Sequence, residues 1–391
     1  MALRRHGPLS RTEISALTGL SASTVTVITT ALLERGRLAP EAVTEGPPSD
    51  YPVLKRGRPQ VRLCLNSGAA SVAVVVITLN RMHVMIGDYS GRIVATAMDR
   101  SRTKGMAGEA IAATAVAALK DLHGRTLHRI GPLQSILVSV EGIVDVEGTA
   151  LLWSPFIDDD KVPIKAAFEE AFGVPTSLSN DAVLIAEALR WSSAEQYGDN
   201  FAAVLLSNGI GMGLYIHGRP FSGIRSSAVE FGHMTYQPNG SLCRCGRLGC
   251  VEAYAGGYAI WRRATGMACD EITVFEPPEN GLRMIAERAR AGEGIERQAF
   301  REAGLAIGTG LANLFAVIDP FPVALVGPGA ATIDLMRDCI LDRLEGAGFG
   351  QPFRNDMLDG YVDEVRLISD GGVMHSLVAL DSSLPEQFEA N

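Results

Sequence analysis

Four side chains near the middle of the chain carry the most specific chemistry: His233, Cys243, Cys245 and Cys250, spaced H-x9-C-x-C-x4-C. Three thiolates and one imidazole complete a tetrahedral shell and leave no open position for a reacting water. That pattern marks a structural zinc (Zn2+) rather than a catalytic one. Gly240, Gly246 and Gly249 let a short loop wrap around an ion. The metal is expected to order residues 233–252, because a structural zinc adds its binding free energy to folding. Six cysteines in 391 residues, three of them within eight positions, argue for a metal site in a reducing compartment over a disulfide framework.

The remaining residues must build a scaffold for this loop. Hydrophobic residues make up 47% of the chain and charged residues 20%, enough for two or three domains with real cores. No uninterrupted apolar run reaches the roughly 18 residues that a membrane helix needs. The N-terminus has arginines but no apolar stretch before a small-residue cleavage site, so a cytoplasmic location is expected. Net charge is -9, yet residues 1–62 carry nine Lys/Arg against five acids, a local +4 that leaves -13 for the rest. A basic N-terminal unit on an acidic body is a hint of nucleic-acid binding confined to one end.

That end reads GPLSRTEISALTGLSASTVTVITTALLERGR over residues 7–37. Ser10 and Glu13 form a capping box, Ile14, Leu17 and Leu20 supply an apolar face, and Thr18-Gly19 ends the first helix. Ser21 caps a second helix over 22–35, with Val25, Ile28, Leu32 and Leu33 facing inward and Gly36 stopping it. Two short helices joined by a tight Gly-containing turn make a helix-turn-helix. Small hydroxyl residues at the front of the second helix let its backbone approach a major groove. The residues placed to meet DNA are Arg11, Ser21, Ala22, Ser23, Thr24 and Thr26. Arg56 and Arg58 would add to them from the Pro- and Gly-rich segment 38–62, where Gly57-Arg58-Pro59 is either a minor-groove arm or a solvated linker. The alternative is an ordinary helical hairpin in a core, which the terminal position and local basic charge disfavour. A preceding helix would have only MALRRHG, so it is either very short or begins upstream of this sequence.

From residue 61 onward β-branched runs alternate with helical stretches. VRLCLN, SVAVVVITLN, HVMIGDYS, RIVATAMD and ILVSVEGIVD read as strands, and residues 107–122 as an Ala-rich helix. A second pass begins at FAAVLLSNGIGMGLYIHGRP, two strands around a Gly-rich turn, followed by helices over 283–317 and the strand PVALVGPG. This is an α/β body of two similar halves.

With these elements in place, the segment from SNGIGMGLYIHGRP through EFGHMTYQPNGSLCRCGRLGCVEAYAG resembles the defining stretch of the ROK family, named for repressors, open reading frames and kinases. The motif E-x-G-H at Glu230–His233 and C-x-C-G-x-x-G-C-x-E at Cys243–Glu252 carry the likeness. The N-terminal unit resembles the winged helix-turn-helix of ROK repressors, which ROK kinases lack. The resemblance implies a winged helix-turn-helix over 1–62 and a two-lobed, actin-like (ribonuclease H-like) body. The first lobe would span 63–180 and the second 181–371, with a C-terminal helix from about 372 returning to the first lobe or to the DNA-binding unit.

It also implies a sugar site at Asn180, Asp181, Glu230, His233 and Glu252. The chemistry suits that role: carboxylates accept paired hydrogen bonds from vicinal hydroxyls, and an Asn amide both donates and accepts. A His bound to zinc through one ring nitrogen keeps the other for a sugar hydroxyl. Asn180 also suits a helix N-cap, and Glu252 taken alone reads as a solvated helix residue as well.

A ROK kinase further needs an Asp base and Gly-rich loops that cradle ATP phosphates. Asp181 stands at the base position. The second phosphate loop is partly kept as Asn208–Gly213, with Asn where the family usually has Thr, and Gly327-Pro328-Gly329 replaces a Gly run. The first loop, D-x-G-G-T in the kinases, corresponds to Ile77–Arg81 here, with neither the acid nor the glycines. Glu141-Gly142 stands where the family commonly has a Pro before Gly. The expectation is therefore a sugar-responsive repressor of carbohydrate genes that is not an enzyme, bound to operator DNA as a homodimer or dimer of dimers. An active sugar kinase with a DNA-binding head is the alternative, and control by a sugar-transport protein a third reading.

Overall fold

The structure, a computed structural model, describes residues 1–41, 61–100, 103–157, 162–226, 229–267, 277–278, 280–345 and 353–383. Arg56 and Arg58, and with them the Gly57–Pro59 arm, lie outside the described residues.

The N-terminal unit begins with a short helix α1 (Ala2–His6), then β1 (Leu9–Ser10), α2 (Arg11–Thr18), α3 (Ala22–Glu34), β2 (Leu38–Pro40) and β3 (Arg62–Leu65). The capping box forms as the sequence requires: the Glu13 N–H donates to Ser10 Oγ at 3.3 Å, and the Ser10 N–H donates to Glu13 Oε2 at 2.7 Å. Gly19 ends α2 with a φ of 70°, a left-handed turn that a side chain resists, and Ser21 caps α3. The two helices are bent by 118° at this break, the geometry of a helix-turn-helix. β3 pairs antiparallel with both β1 and β2, so the strand that the sequence pattern assigns to the body completes a three-stranded sheet of the head. The head's apolar core is smaller than expected. Leu9, Ile14 and Val25 are buried, whereas Leu17, Leu20 and Ile28 are exposed, because too few elements surround α2 and α3 to cover more than one face of each.

The first lobe holds β4 (Ser71–Thr78), β5 (Arg81–Asp88), β6 (Ile93–Asp99), α4 (Gly108–Thr126), β7 (Leu133–Val140), the small hairpin β8 (Ile143–Val144) and β9 (Leu151–Trp153), α5 (Ile164–Phe172) and β10 (Thr176–Ser179). α6 (Asp181–Ser192) leads into the second lobe. There follow β11 (Phe201–Leu206), β12 (Ile210–Ile216), β13 (Arg219–Pro220), α7 (Glu252–Ala255), α8 (Gly257–Thr265), α9 (Gly281–Ala291), α10 (Ile295–Ile318), β14 (Val323–Val326), α11 (Arg337–Leu344), β15 (Leu358–Tyr361) and α12 (Glu364–Ser382).

The two five-stranded sheets share one topology. In each, three antiparallel strands are followed by two parallel ones, giving the orders β6-β5-β4-β7-β10 and β13-β12-β11-β14-β15. Strand alternation explains the layering. Ala73, Val75 and Ile77 pack with α4 and α5, whereas Val72, Val74 and Val76 pack with α6 and α12. Ala203 and Leu205 of the second sheet face the same pair of helices from the other side, and Ala202, Val204 and Leu206 face α10. α6 and α12 thus form a shared layer between the two sheets. Gly371 permits their close approach, since a Cβ there would collide with the Leu184 carbonyl oxygen. The C-terminal helix begins at Glu364, two turns earlier than the family resemblance implies, because Asp363 caps it by accepting from the Arg366 N–H.

Candidate functional site

A cleft of 350 Å³ opens between the lobes where β4, β11, α6 and α12 begin or end. Asn180 caps α6: Oδ1 accepts from the Ala182 N–H at 2.9 Å, and Nδ2 donates to the Gly142 carbonyl of the first lobe at 2.6 Å. Asp181 follows on the first turn of α6, buried but lining the cleft. Burial, then the neighbouring Glu141, pushes its carboxyl up to about 7. Glu364, the first residue of α12, faces it, raised to about 7 by burial and by Asp181. Glu230 is likewise raised to about 7, by burial and by Glu252.

Glu252 is only 3% exposed, which excludes the reading as a solvated helix residue. Its Oε2 accepts from the Ile210 N–H at 3.0 Å and its Oε1 from Arg244 Nε at 3.1 Å. Burial opposes its charge, yet Arg244 and His233 hold the carboxyl below the usual range. Arg244 then reaches across the cleft to Glu141, 3.5 Å away, and lies over the Tyr258 ring at 5.0 Å. It joins the two lobes through charge. In sequence Arg244 is only the x of the C-x-C motif, and the signal it carries is a charge placed between two cysteines. Gly209 makes room for it, since a Cβ there would collide with Arg244 Nη2.

The His233, Cys243, Cys245 and Cys250 cluster adjoins the cleft, which His233 lines. His233 Nδ1 lies 3.7 Å from Cys243 Sγ, Cys245 Sγ lies 3.8 Å from Cys250 Sγ, and the four donor atoms all fall within 4.8 Å of one another. A tetrahedral ion with metal–sulfur bonds of about 2.3 Å sets its ligand atoms roughly 3.8 Å apart, so the donors fit one ion. The left-handed Gly246 and Gly249 shape the loop. Burial lowers the His233 pKa, which keeps the imidazole neutral as a ligand must be. Burial also pushes the Cys243 thiol up, so a bound cation has to displace its proton. The other ring nitrogen, Nε2, points toward Glu230, 3.9 Å from Oε2. The imidazole therefore has a metal side and a cleft side, and all five sugar-site candidates meet in one place.

Where the family resemblance places the first phosphate loop, the chain makes a tight turn from β4 to β5, with Thr78 paired to Arg81. Leu79 is buried in the first-lobe core, and Thr103 Oγ1 donates to the Thr78 carbonyl at 3.0 Å and also to that of Leu79. Thr78, Arg81 and His83 line the cleft here. In the head, Ser21, Ala22, Ser23, Thr24 and Thr26 are exposed on the first turns of α3. Arg11 is only partly available: its Nε donates to Thr29 Oγ1 at 2.8 Å and so braces α2 on α3. Among the described residues no single helix is long and apolar enough to cross a membrane.

Comparison with known proteins agrees with this architecture. Residues 73–345 match the model of the ROK family. A putative xylose repressor of Caldicellulosiruptor sp. (strain Rt8B.4) is 25% identical over 353 residues, 89% of this chain and 85% of that protein. The DNA-binding transcriptional dual regulator NagC of Escherichia coli (strain K12) is 25% identical over 326 residues, 83% of this chain and 77% of that one. Among solved structures, a ROK family transcriptional regulator described as a homolog of the E. coli MLC protein superposes with a TM-score of 0.74 at 20% identity, covering 97% of both chains. A ROK family glucokinase from Streptomyces griseus, solved with glucose and AMPPNP, gives 0.61 at 25% identity, and 98% of it is matched by 78% of this chain. The kinase thus accounts for the body, while the regulator accounts for the head as well. With a matched family domain across most of its length, the chain belongs to the ROK family.

Proposed function

We propose that this chain is a sugar-responsive, DNA-binding transcriptional repressor of carbohydrate genes, with a structural zinc and without kinase activity. The observation that carries the reading is the course of α12. Its first residue, Glu364, faces the cleft, and Asp381 near its end binds the head. Residues 1–65 would read operator DNA, paired in a homodimer so that two recognition helices meet half-sites about one helical turn apart. The sugar would lie against Asn180, Asp181, Glu230 and His233, with Glu252 held behind them by Arg244. Zinc, when bound, would be held by His233, Cys243, Cys245 and Cys250, and would fix the loop that presents Glu230 and His233.

The reading without phosphoryl transfer is supported by the first turn. A buried Leu79 and the side chains of Thr78 and Arg81 replace the open glycine backbone that must approach phosphates. Asp181 does not decide the matter, because the same carboxyl accepts a hydrogen bond from a sugar whether or not it acts as a base. The relatives are named for xylose and for other regulatory roles, so the effector needs a panel. Fluorescence anisotropy on DNA upstream of the chain's own gene tests the reading, with salt titration and then pentoses, hexoses and N-acetylated hexosamines. Salt-sensitive binding altered by one sugar supports it. ATP consumption with any sugar of the panel would instead establish the kinase.

A further inference from the structure

The outward face of α3 has an unusual chemistry for a helix that reads DNA. Val25 and Thr29 are its buried residues. At 100° per residue the opposite face carries Ser23, Val27 and Thr30, flanked by Thr24, Thr26 and Ile28, and all six are exposed. Val27 is 69% exposed and Ile28 43%. Between Ala22 and Leu33 the helix has no Arg, Lys, His, Asn, Gln, Asp or Glu. It therefore cannot make the bidentate contacts that read guanine through Arg or Lys and adenine through Asn or Gln.

Its hydroxyls are partly engaged inward as well. Thr26 Oγ1 donates to the Ala22 carbonyl at 2.7 Å, and Ser21 Oγ lies 2.8 Å from both Ser23 Oγ and Thr24 Oγ1 while capping the Thr24 N–H. What this helix turns outward is mainly methyl groups. The feature of a base edge that methyls can recognise is the C5-methyl of thymine, which projects into the major groove.

We infer that α3 reads its operator through thymine methyls, with Val27 as the central specificity-determining residue. The inference rests on the DNA-binding reading above and deepens it. Nucleic acid is the occupant that fits the surroundings. Residues 1–62 are net +4 on a chain of -9, and no acid lies on the first three turns of α3. A face of Ser, Thr and Val with Ile28 at its flank also lacks the aromatic and Met side chains that anchor protein interfaces.

The test uses the full-length protein. Duplexes are selected from a randomised pool, and each thymine of the enriched half-site is replaced in turn by deoxyuridine, which removes only the methyl. At one or two positions per half-site the affinity should fall about fourfold, the value of one buried methyl-sized group. Val27→Ala should weaken binding to the thymine operator by a similar factor and become indifferent to deoxyuridine at the same position. It should melt with the wild-type protein, since the side chain is exposed. An enriched operator whose affinity ignores every thymine-to-deoxyuridine change overturns the inference and leaves the repressor reading standing. If no sequence is enriched, with or without sugars, both fall. A Val27→Ala protein that changes oligomeric state while keeping its response to deoxyuridine would assign this face to a second copy of the chain instead.

Discussion

Arg4 and Asp381 form a two-pronged ion pair that ties the first helix of the chain to the last. Nε lies 2.8 Å from Oδ2 and Nη2 3.2 Å from Oδ1. Arg4 Nη1 also donates to the Tyr89 carbonyl at 2.9 Å, and the Tyr89 hydroxyl donates to the same Asp381 at 2.7 Å. The guanidinium sits over the Tyr89 ring at 4.9 Å, with Arg37 of the head at 5.1 Å from that ring. Burial and the hydrogen bond to Asp381 push the Tyr89 hydroxyl up to about 12, so it stays a donor. Between Glu364 and Asp381 the helix spans roughly 26 Å at 1.5 Å per residue. A push at its cleft end therefore has a rigid path to the head.

Asp381→Ala breaks that path. It leaves the Arg4 side chain, 1% exposed, without its carboxylate, a loss on the order of 3 kcal/mol for a buried pair with one partner removed. The expected result is a head that still binds DNA but no longer answers to sugar. Anisotropy titrations with and without the effector should show the sugar-induced change in affinity collapsing toward unity. A mutant with wild-type coupling would show that α12 does not carry the signal.

Cys245→Ser removes one of the four side chains proposed to hold the metal, next to Glu230, Arg244 and Glu252. Elemental analysis should find about one zinc per chain in the wild type and a substoichiometric amount in the variant. Calorimetry should find sugar affinity weakened, because His233 and Glu230 lose their fixed positions. Metal-free protein that binds sugar normally would separate the loop from the ligand site.

Much of this site was legible from residue types because its chemistry is local. The four candidate metal ligands fall within 18 residues, the capping box within four, and the N-cap next to Asp181 is Asn180 itself. What stayed hidden depends on contacts far apart in sequence. The Arg244–Glu141 pair joins residues 103 positions apart, and Arg4–Asp381 joins residues 377 apart. No periodicity signals either. The exposure of Leu17, Leu20 and Ile28 was missed for a different reason. An apolar stripe says which residues are fit for burial, while the number of elements nearby decides how many of them are covered. The start of α12 near 372 was an expectation from the family resemblance; its first turns, Glu364 to Asp370, are mostly polar and bury Ile368 and Ser369, with Leu367 packed beside them.

Arg244 and Glu141 hold the lobes together, and their substitutions should differ in kind. Glu141→Gln removes a partner that lies 3.5 Å away and is partly exposed, so its effect on stability should stay below about 1 kcal/mol. Arg244→Ala leaves Glu252 charged and buried without its guanidinium, which should cost about 3 kcal/mol. Denaturant titration reads both. Equal and small losses would mean that water replaces Arg244 freely.

The carboxyls around Asp181 should make binding of the proposed sugar depend on pH. Asp181 has an ordinary value of 3.8 and is held at about 7 by burial and then by Glu141, with Glu364 facing it and Arg81 acting on Glu364. A folded-state pKa raised above the unfolded one means that the native protein holds the proton more tightly. The stabilisation from that proton is fully present below about 3.8 and is lost as pH rises through about 7. For one group the slope is at most about 1.4 kcal/mol per pH unit inside that window. A sugar hydroxyl that donates to the carboxylate favours the ionised form, so binding must release a proton, and affinity should rise with pH until about 7 and then level. Calorimetry in two buffers of different ionisation enthalpy measures the released proton directly. Asp181→Asn should flatten the affinity profile and shrink the proton count, with Glu364 accounting for whatever remains. Sugar binding that releases no proton at pH near 6 in the wild type would mean that the hydroxyl accepts from a protonated Asp181 instead, and the affinity would then fall as pH rises.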